Sequence, residues 1–233
     1  MKKFSNLAFL CAKNSRSIAY LNILKKNKIL PNTIILMDVK KNYRHLKIKR
    51  NKLFDASFDI DLFTKENEIK LVKIKDSKIN DFECVQAIKN LKEKYIIYAA
   101  NYGDILSKQY FDLKKKFIHI HPGKLPEYKG STTYYYEILE KNTISYSAIF
   151  QNSKIDDGKI IYSQTYNLRK IKIKKYEIDH VHDPYLRSLI LLNVILKLKK
   201  MKKLNSKKQS KKNEKTYYII HPVLKHISIL SKT

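Results

Sequence analysis

Short apolar runs bounded by polar segments limit most strongly what this chain can fold into. Residues 7–11 and 33–37 are two such runs, and an amphipathic helical pattern beginning at Ile18 separates them. Short, continuously apolar runs are typical of strands that are buried on both faces of a parallel sheet. A strand, a helix and a strand within about thirty residues predict a βαβ unit with a right-handed crossover.

The same kind of run recurs further along the chain. Residues 95–99 and 117–121 predict a third and a fourth buried strand. Residues 145–150 and 159–166 alternate between apolar and polar side chains, which predicts a hairpin that extends the sheet. We therefore expect an α/β protein with a Rossmann-like, mostly parallel sheet, flanking helices and a helical C-terminal extension.

The sequence changes character at Arg169, where a basic segment begins. Asp183 and Pro184 are typical of the start of a long helix. The basic tract 197–212 predicts either a solvated helix end or a disordered loop, and residues 217–222 predict a last strand. These patterns predict one domain over residues 1–168 and a basic, mainly helical extension over residues 169–233.

The chain carries a large positive charge, with 49 Lys and Arg against 21 Asp and Glu, which gives a net charge of +28. Only five of these cations are arginines, although arginine is the residue that reads bases and phosphates in fixed geometry. This composition favours a lysine-rich surface set by codon usage over a nucleic-acid-binding function. An anionic partner, such as a nucleotide-linked substrate, RNA or an anionic membrane surface, is the alternative interpretation.

The cysteine content and the hydropathy pattern exclude several protein classes. Two cysteines among 233 residues cannot form a disulfide framework or a multi-cysteine zinc site, and they fit a reducing, cytoplasmic location. No apolar run approaches the roughly 20 residues that span a bilayer. We interpret the first residues as a strand rather than as a signal peptide.

The residues that point most strongly to chemistry lie in and after the predicted fourth strand. His119 and His121 are two residues apart, so both side chains lie on one face of that strand, near its carboxyl end. Parallel α/β sheets hold ligands at that end. A buried imidazole needs a partner for each ring nitrogen, which favours a functional role for the pair. The loop that follows is stiffened by Pro122, Gly123, Pro126 and Gly130.

A second polar cluster, Asp156, Asp157 and Gly158, follows the first strand of the predicted hairpin. Asp and Gly are preferred turn residues, so a simple hairpin turn is one interpretation. The other is catalytic, because a carboxylate is the partner that fixes the tautomer of a catalytic histidine.

Three segments together resemble the folate-dependent formyltransferases. Residues 121–130 (HPGKLPEYKG) resemble the signature loop of that family, and residues 155–158 (IDDG) are similar to its downstream Leu-Asp-x-Gly motif. Residues 102–106 (YGDIL) resemble the segment whose backbone lines the pterin pocket. The resemblance covers roughly residues 5–166. It implies a Rossmann-like domain that transfers a formyl group from 10-formyltetrahydrofolate to an amine, without a metal.

The resemblance also implies roles for individual residues. His121 matches the catalytic histidine and Asp156 the catalytic aspartate, while His119 stands where the family has an asparagine. A neutral imidazole, like an amide, has one donor and one acceptor, so His119 can still donate to a developing oxyanion. The residues implied to bind the cofactor are Tyr102, Gly103, Asp104, Ile105, Leu106, Asp157 and Gly158. The residues implied to face the acceptor are Asn14, Ser15, Arg16, Ser17 and Tyr128.

The acceptor is inferred by comparing members of that family. Methionyl-tRNA formyltransferases carry a C-terminal barrel, which residues 170–233 are too short and too helical to form. Glycinamide ribonucleotide formyltransferases have a glycine-rich phosphate loop that is missing here. A nucleotide-linked amino sugar of a polysaccharide pathway is therefore the favoured acceptor. A basic RNA-binding or other binding protein on a degenerate scaffold, and a hydrolase of the formyl cofactor, are the alternatives. The oligomeric state, including a homodimer, stays open.

Overall fold

The computed structural model describes residues 2–38, 50–75, 78–101, 103–170, 173–174 and 177–231. The chain divides into two compact units, Met1–His119 and Ile120–Thr233. The division falls inside one strand, between His119 and Ile120. The boundary expected after residue 168 stays a prediction.

The first unit is built from alternating strands and helices. Its strands are β1 (Lys2–Ala12), β2 (Ile29–Asp38), β3 (Lys70–Lys75), β4 (Tyr95–Ala99) and the first part of β5 (Lys116–Pro122). Its helices are α1 (Ser15–Lys26), α2 (Ile60–Glu66), α3 (Phe82–Lys89) and α4 (Lys108–Asp112). The strands lie in the order β3-β2-β1-β4-β5, and all their pairings are parallel. The predicted βαβ unit and parallel sheet are therefore confirmed.

The strands of this sheet are buried because their side chains are apolar on both faces. All five residues of β4 are buried, and its bounds are those that the sequence predicts. β2 begins four residues earlier than the predicted run 33–37 and includes Pro31. The pairing of β1 with β2 shifts register between Phe4 and Ala8, so the ladder accommodates the proline beside an irregularity.

The second unit continues from β5 into a hairpin and a helical C-terminal half. Its further elements are β6 (Lys129–Gly130), α5 (Thr133–Lys141), β7 (Thr143–Phe150), β8 (Lys159–Asn167), a π-helical turn (Ile178–His182), α6 (Asp183–Met201), β9 (Thr216–Tyr217) and α7 (Pro222–Leu230). β7 lies beside β5 and pairs with β8 in antiparallel register, which confirms the predicted hairpin. The α/β class with a mostly parallel sheet is confirmed.

The C-terminal segment differs from its prediction at the expected last strand. α6 ends at Met201, where Lys202 takes a left-handed conformation (φ +57°), so most of the basic tract 197–212 is not helical. The expected last strand over residues 217–222 was wrong, since β9 has two residues and Pro222 begins α7. Pro at the first helical position has a φ suited to helix initiation. Among the described residues, no helix is long and apolar enough to cross a membrane.

Candidate functional site

His121 is the most constrained polar side chain of the second unit. β5 carries it at its carboxyl end, and only 1% of the residue is exposed. Its Nε2 lies 2.6 Å from the backbone carbonyl oxygen of Tyr128, and its Nδ1 lies 3.1 Å from Oδ1 of Asp156. A carbonyl oxygen only accepts, so Nε2 carries a hydrogen in either charge state of the ring. The Tyr128 carbonyl and the Asp156 carboxylate therefore orient the ring from opposite sides, and the role expected for Asp156 stays a prediction.

Asp156 lies in the turn between β7 and β8, in a left-handed conformation (φ +50°) that few non-glycine residues adopt. Its Oδ2 accepts a hydrogen bond from the backbone N–H of Gly130 (2.9 Å), which leaves Oδ1 directed at His121. The side-chain amide of Gln209 donates to the carbonyl oxygens of Asp156 (2.7 Å) and Gly158 (2.8 Å). Both the carboxylate and the backbone of Asp156 are thus held in place.

The loop after β5 fits closely around the imidazole. A Cβ atom at Gly123 (φ +151°) would lie 3.0 Å from Nε2 of His121 and 2.7 Å from the Tyr128 carbonyl oxygen. Ser147 on β7 donates to the carbonyl of Gly123 (2.8 Å) and accepts from the N–H of Leu125 (3.1 Å). Glycine is required at this position because a side chain would enter the hydrogen bond that fixes His121.

Lys129, at the end of the same loop, is buried and forms two ion pairs. Its Nζ lies 2.7 Å from Asp157 and 2.8 Å from Glu214, and 3% of the residue is exposed. The hydrogen bond from Lys129 lowers the pKa of Asp157 below its ordinary value. Burial acts to lower the pKa of Lys129, but the two carboxylates outweigh it and raise the pKa. Lys129 therefore stays charged and ties the signature loop to the Asp157 turn and to the C-terminal segment.

The side chain of Tyr128 is fully enclosed by other groups of the second unit. Its hydroxyl donates to Glu140 (2.6 Å), and its ring stacks on Tyr217 with centroids 5.2 Å apart. Burial, followed by the Glu140 carboxylate, raises the pKa of the Tyr128 phenol. Contact of Tyr128 with an acceptor stays a prediction, whereas its backbone carbonyl contacts His121 directly.

His119 is half-buried and lies within the part of β5 that belongs to the first unit. Its ring centroid is 5.9 Å from that of Tyr98, with the planes at 57°. The Tyr98 hydroxyl donates to the backbone carbonyl of Asp104 (2.7 Å). Burial raises the pKa of the Asp104 carboxyl, whose Oδ2 is buried without a hydrogen-bond partner among the described residues.

The other residues proposed to bind the cofactor are placed as follows. Gly103 has a left-handed backbone (φ +84°), Ile105 is exposed and Leu106 is buried. Gly158 is buried. Tyr102 lies outside the described residues. A cofactor-binding role for these residues, and for Asp104 and Asp157, stays a prediction.

Four of the five residues expected to face the acceptor lie at the start of α1, next to the end of β4. Asn14 accepts from the N–H of Ser17 (2.9 Å) and donates to the carbonyl of Ala100 (3.1 Å). Arg16 donates to the same carbonyl (2.7 Å), and Ser17 donates to that of Ala99 (2.9 Å). Ser15, Arg16 and Ser17 are buried. These side chains fix the helix N-terminus in place, and contact with an acceptor stays a prediction.

The side chains of His119, His121 and Asp156 are also of the types that bind metal ions. Within the second unit, an imidazole nitrogen of His121 lies 3.1 Å from a carboxylate oxygen of Asp156. Imidazole and carboxylate are common ligands of zinc and other transition metals. The expectation that the reaction needs no metal stays a prediction.

Sequence reasoning missed the residues that support the site. Arg187 on α6 donates to the carbonyl of Ile120 (2.7 Å), the residue between the two histidines, and its Nε contacts both carboxylate oxygens of Asp183 (2.8 and 2.9 Å). The one sequence signal for Arg187 is that arginine is rare in this lysine-rich chain, which has only five. Gln209 and Glu214 carry no local signal, because their partners lie more than fifty residues away.

Comparison with known proteins agrees with the motifs. The sequence model of the formyl transferase family matches residues 6–180. This match covers well over half of the chain. The chain belongs to the formyl transferase family. The signature loop, its histidine and the Asp156 turn all lie within the matched residues.

Curated relatives of similar sequence are methionyl-tRNA formyltransferases. The protein of Pelagibacter ubique is 30% identical over 158 residues, which are 66% of this chain and 45% of the relative. That of Borreliella burgdorferi is 27% identical over 134 residues, which are 57% of this chain and 41% of the relative. The chain spans less than half the length of the curated relatives it matches.

Solved structures of similar fold include sugar N-formyltransferases. The enzyme from a Shewanella species has a TM-score of 0.60 at 15% identity, and the match covers 97% of this chain and 87% of that one. The N-formyltransferase from Helicobacter canadensis, solved with folinic acid and dTDP-3-aminofucose, has a TM-score of 0.60 at 17% identity, with 92% and 71% covered. At these identities the likeness establishes the fold alone.

The contact between Gly130 and Tyr217 generates a stability prediction. Gly130 has φ +99°, and a Cβ atom there would lie 2.0 Å from the carbonyl oxygen of Tyr217. Left-handed strain of about 1–2 kcal/mol together with overpacking of about 1–3 kcal/mol predicts that Gly130→Ala loses about 2–5 kcal/mol of unfolding free energy. Chemical denaturation measures the loss.

Gly103→Ala is the matched control for this prediction. Gly103 also has a left-handed backbone (φ +84°), but nothing lies within 4 Å of its added Cβ. We therefore expect it to lose only the strain of about 1–2 kcal/mol. Equal losses in the two variants would contradict the close packing of Tyr217 on the signature loop.

Proposed function

We propose that this chain transfers a formyl group from 10-formyltetrahydrofolate to the amine of a nucleotide-linked amino sugar. The observation that carries the proposal is the pairing of His121 with Asp156, in which one ring nitrogen is held by a carbonyl and the other faces a carboxylate. Membership of the formyl transferase family supports the same reaction class.

The arrangement determines which atoms hold the moving proton. Nε2 of His121 keeps its hydrogen on the Tyr128 carbonyl, so proton exchange takes place at Nδ1. Nδ1 and Oδ1 of Asp156 are 3.1 Å apart and would share the proton that the acceptor amine gives up, before it passes to the departing folate nitrogen. The Asp156 side chain is 11% exposed against 2% for His121, so the carboxylate is the member of the pair nearer to solvent.

The residues of the first unit fit a folate-type cofactor. Oδ2 of Asp104 is buried without a partner among the described residues, and burial raises the pKa of this carboxyl. Such a group suits a ligand rich in amide and amine groups, as a pterin is. 10-Formyltetrahydrofolate would supply the formyl group, and the 103–106 loop would hold it. His119 would donate a ring N–H to the oxygen that gains negative charge during acyl transfer.

Two observations support an amino-sugar acceptor. The N-terminus of α1, capped by Asn14, presents backbone N–H groups of the kind that bind phosphate oxygens. The likeness in fold to sugar N-formyltransferases over nearly the whole chain agrees with this choice.

One incubation tests the proposed reaction and acceptor. The protein is mixed with 10-formyltetrahydrofolate and, separately, with nucleotide-linked amino sugars, methionyl-tRNA and glycinamide ribonucleotide. We expect an amino sugar to gain the mass of one formyl group in mass spectrometry, with and without a metal chelator. Formylation of methionyl-tRNA alone would overturn the acceptor, and release of formate alone would indicate a hydrolase. RNA binding that weakens steeply with salt, without transfer to any amine, would overturn the enzymatic function.

A second prediction concerns the proton-sharing pair. Asp156→Asn keeps an acceptor for the Gly130 N–H but removes the charge that faces His121. His121→Gln keeps an N–H donor for the buried Tyr128 carbonyl but removes the basic nitrogen. Because general acid–base catalysis contributes about 10²–10⁴-fold, we expect kcat to fall by about that factor in each variant. Thermal denaturation checks that both remain folded, and near-native turnover would refute the assignment.

The third prediction concerns the histidine at the asparagine position of the family. His119→Asn restores the family's amide, which has a donor and an acceptor like the neutral imidazole. If His119 acts as an N–H donor to the reacting oxygen, transfer is retained or increased, as steady-state kinetics would measure. A large loss of kcat with unchanged folding would contradict that role and assign His119 a task that only an imidazole performs, including metal binding.

A further inference from the structure

Beyond the two catalytic groups, the second unit contains a polar side chain that holds the catalytic turn from the C-terminal segment. We propose that Gln209 is a positioning residue, which fixes the backbone of Asp156 so that its carboxylate stays directed at His121. This inference rests on the proposed formyl transfer, since it assigns a role in that reaction.

The geometry around Gln209 supports this role. One amide nitrogen, Nε2, donates to two backbone carbonyls of the same turn, at 2.7 Å to Asp156 and 2.8 Å to Gly158. The two carbonyls lie on either side of Asp157, so one amide group of Gln209 bridges the two ends of this three-residue segment. Oε1 of Gln209 is buried and has no hydrogen-bond partner among the described residues, so the side chain is oriented by its donor end.

The backbone of Gln209 is itself anchored. Two residues earlier, Lys207 forms an antiparallel bridge with Ile160 of β8, with both N–H to O distances at 2.8 Å. This bridge fixes the position of residues 207–209 along β8, so residue 209 lies beside the turn. Glu214, five residues later, pairs with Lys129 and holds the signature loop from the same segment.

The turn needs such a support for a physical reason. The left-handed conformation of Asp156 (φ +50°) costs about 1–2 kcal/mol for a residue with a side chain, so the isolated turn favours other conformations. Asp156 must nevertheless keep both oxygens engaged, one with Gly130 and one with His121. Displacements of about 1 Å at a catalytic group are enough to reduce rates about 100-fold.

Two isosteric variants separate positioning from general stability. Gln209→Met removes the donor, and Gln209→Glu replaces it with a carboxylate that is repelled by both carbonyl oxygens when ionised. We expect kcat of the transfer to fall by about 10-fold to 100-fold in both, with KM little changed, because no contact with substrate is lost. A protonated carboxyl donates again, so we expect Gln209→Glu, and not Gln209→Met, to recover relative to wild type as the pH falls.

A matched control lies on the adjacent strand. Gln164 on β8 is also half-buried and hydrogen-bonded through its side chain, to the hydroxyl of Tyr162 at 2.6 Å. Gln164→Met is expected to keep wild-type kcat. A wild-type kcat in Gln209→Met, or a loss of equal size in Gln164→Met, would overturn the positioning role.

A measurement without turnover keeps this inference separate from the proposed function. The exposed residues Lys154 and Lys159 flank the turn, so trypsin reports its opening. We expect cleavage at these lysines to be at least several-fold faster in Gln209→Met than in wild type or Gln164→Met. Unchanged cleavage would overturn the inference, whereas an inactive wild-type protein with faster cleavage in the variant would overturn the proposed function alone.

Discussion

The hydrogen bond between Nε2 of His121 and the carbonyl of Tyr128 is the constraint on which the candidate site depends. A buried imidazole has two nitrogens to satisfy, and this bond commits one of them permanently as a donor. The remaining nitrogen is then the only one that can exchange a proton, and Asp156 faces it. Gly123 must lack a side chain for the bond to form, so the hydrogen bond of His121 requires glycine at this position of the signature loop.

The C-terminal segment completes the site even though it contributes no reacting group. Arg187 holds the β5 carbonyl between the two histidines, and Gln209 and Glu214 hold the turn and the loop that carry Asp156 and Lys129. Each contact joins a side chain to a backbone group or to a buried ion. The strength of such hydrogen bonds and ion pairs depends on distance and direction, and not on apolar burial. The buried charges of Lys129 and Arg187 are paired with carboxylates, as is needed where solvent cannot screen them.

The strands were predictable from sequence because burial on both faces leaves a continuous apolar run. Residues 95–99 predict β4 with its observed bounds, whereas Pro31 concealed the first residues of β2, because proline cannot donate a ladder hydrogen bond and argues against a strand. The histidines and the Asp156 turn could be brought together through the family resemblance. The supports could not, because Gln209 lies 53 residues from Asp156, and Glu214 lies 85 residues from Lys129. The partner of each polar residue in the C-terminal segment depends on how the folded chain brings distant residues together.

The position of these supports along the chain has a consequence for biosynthesis. A ribosome releases the polypeptide from its N-terminus, so the histidines of β5 and the Asp156 turn emerge well before Gln209 and Tyr217. During that interval the Asp156 turn lacks the hydrogen bonds from Gln209, and the signature loop lacks its pairing with β9. The proposed reacting groups are therefore synthesised before the residues that contact their loops, and a nascent chain that stops short of residue 209 lacks both hydrogen bonds from Gln209.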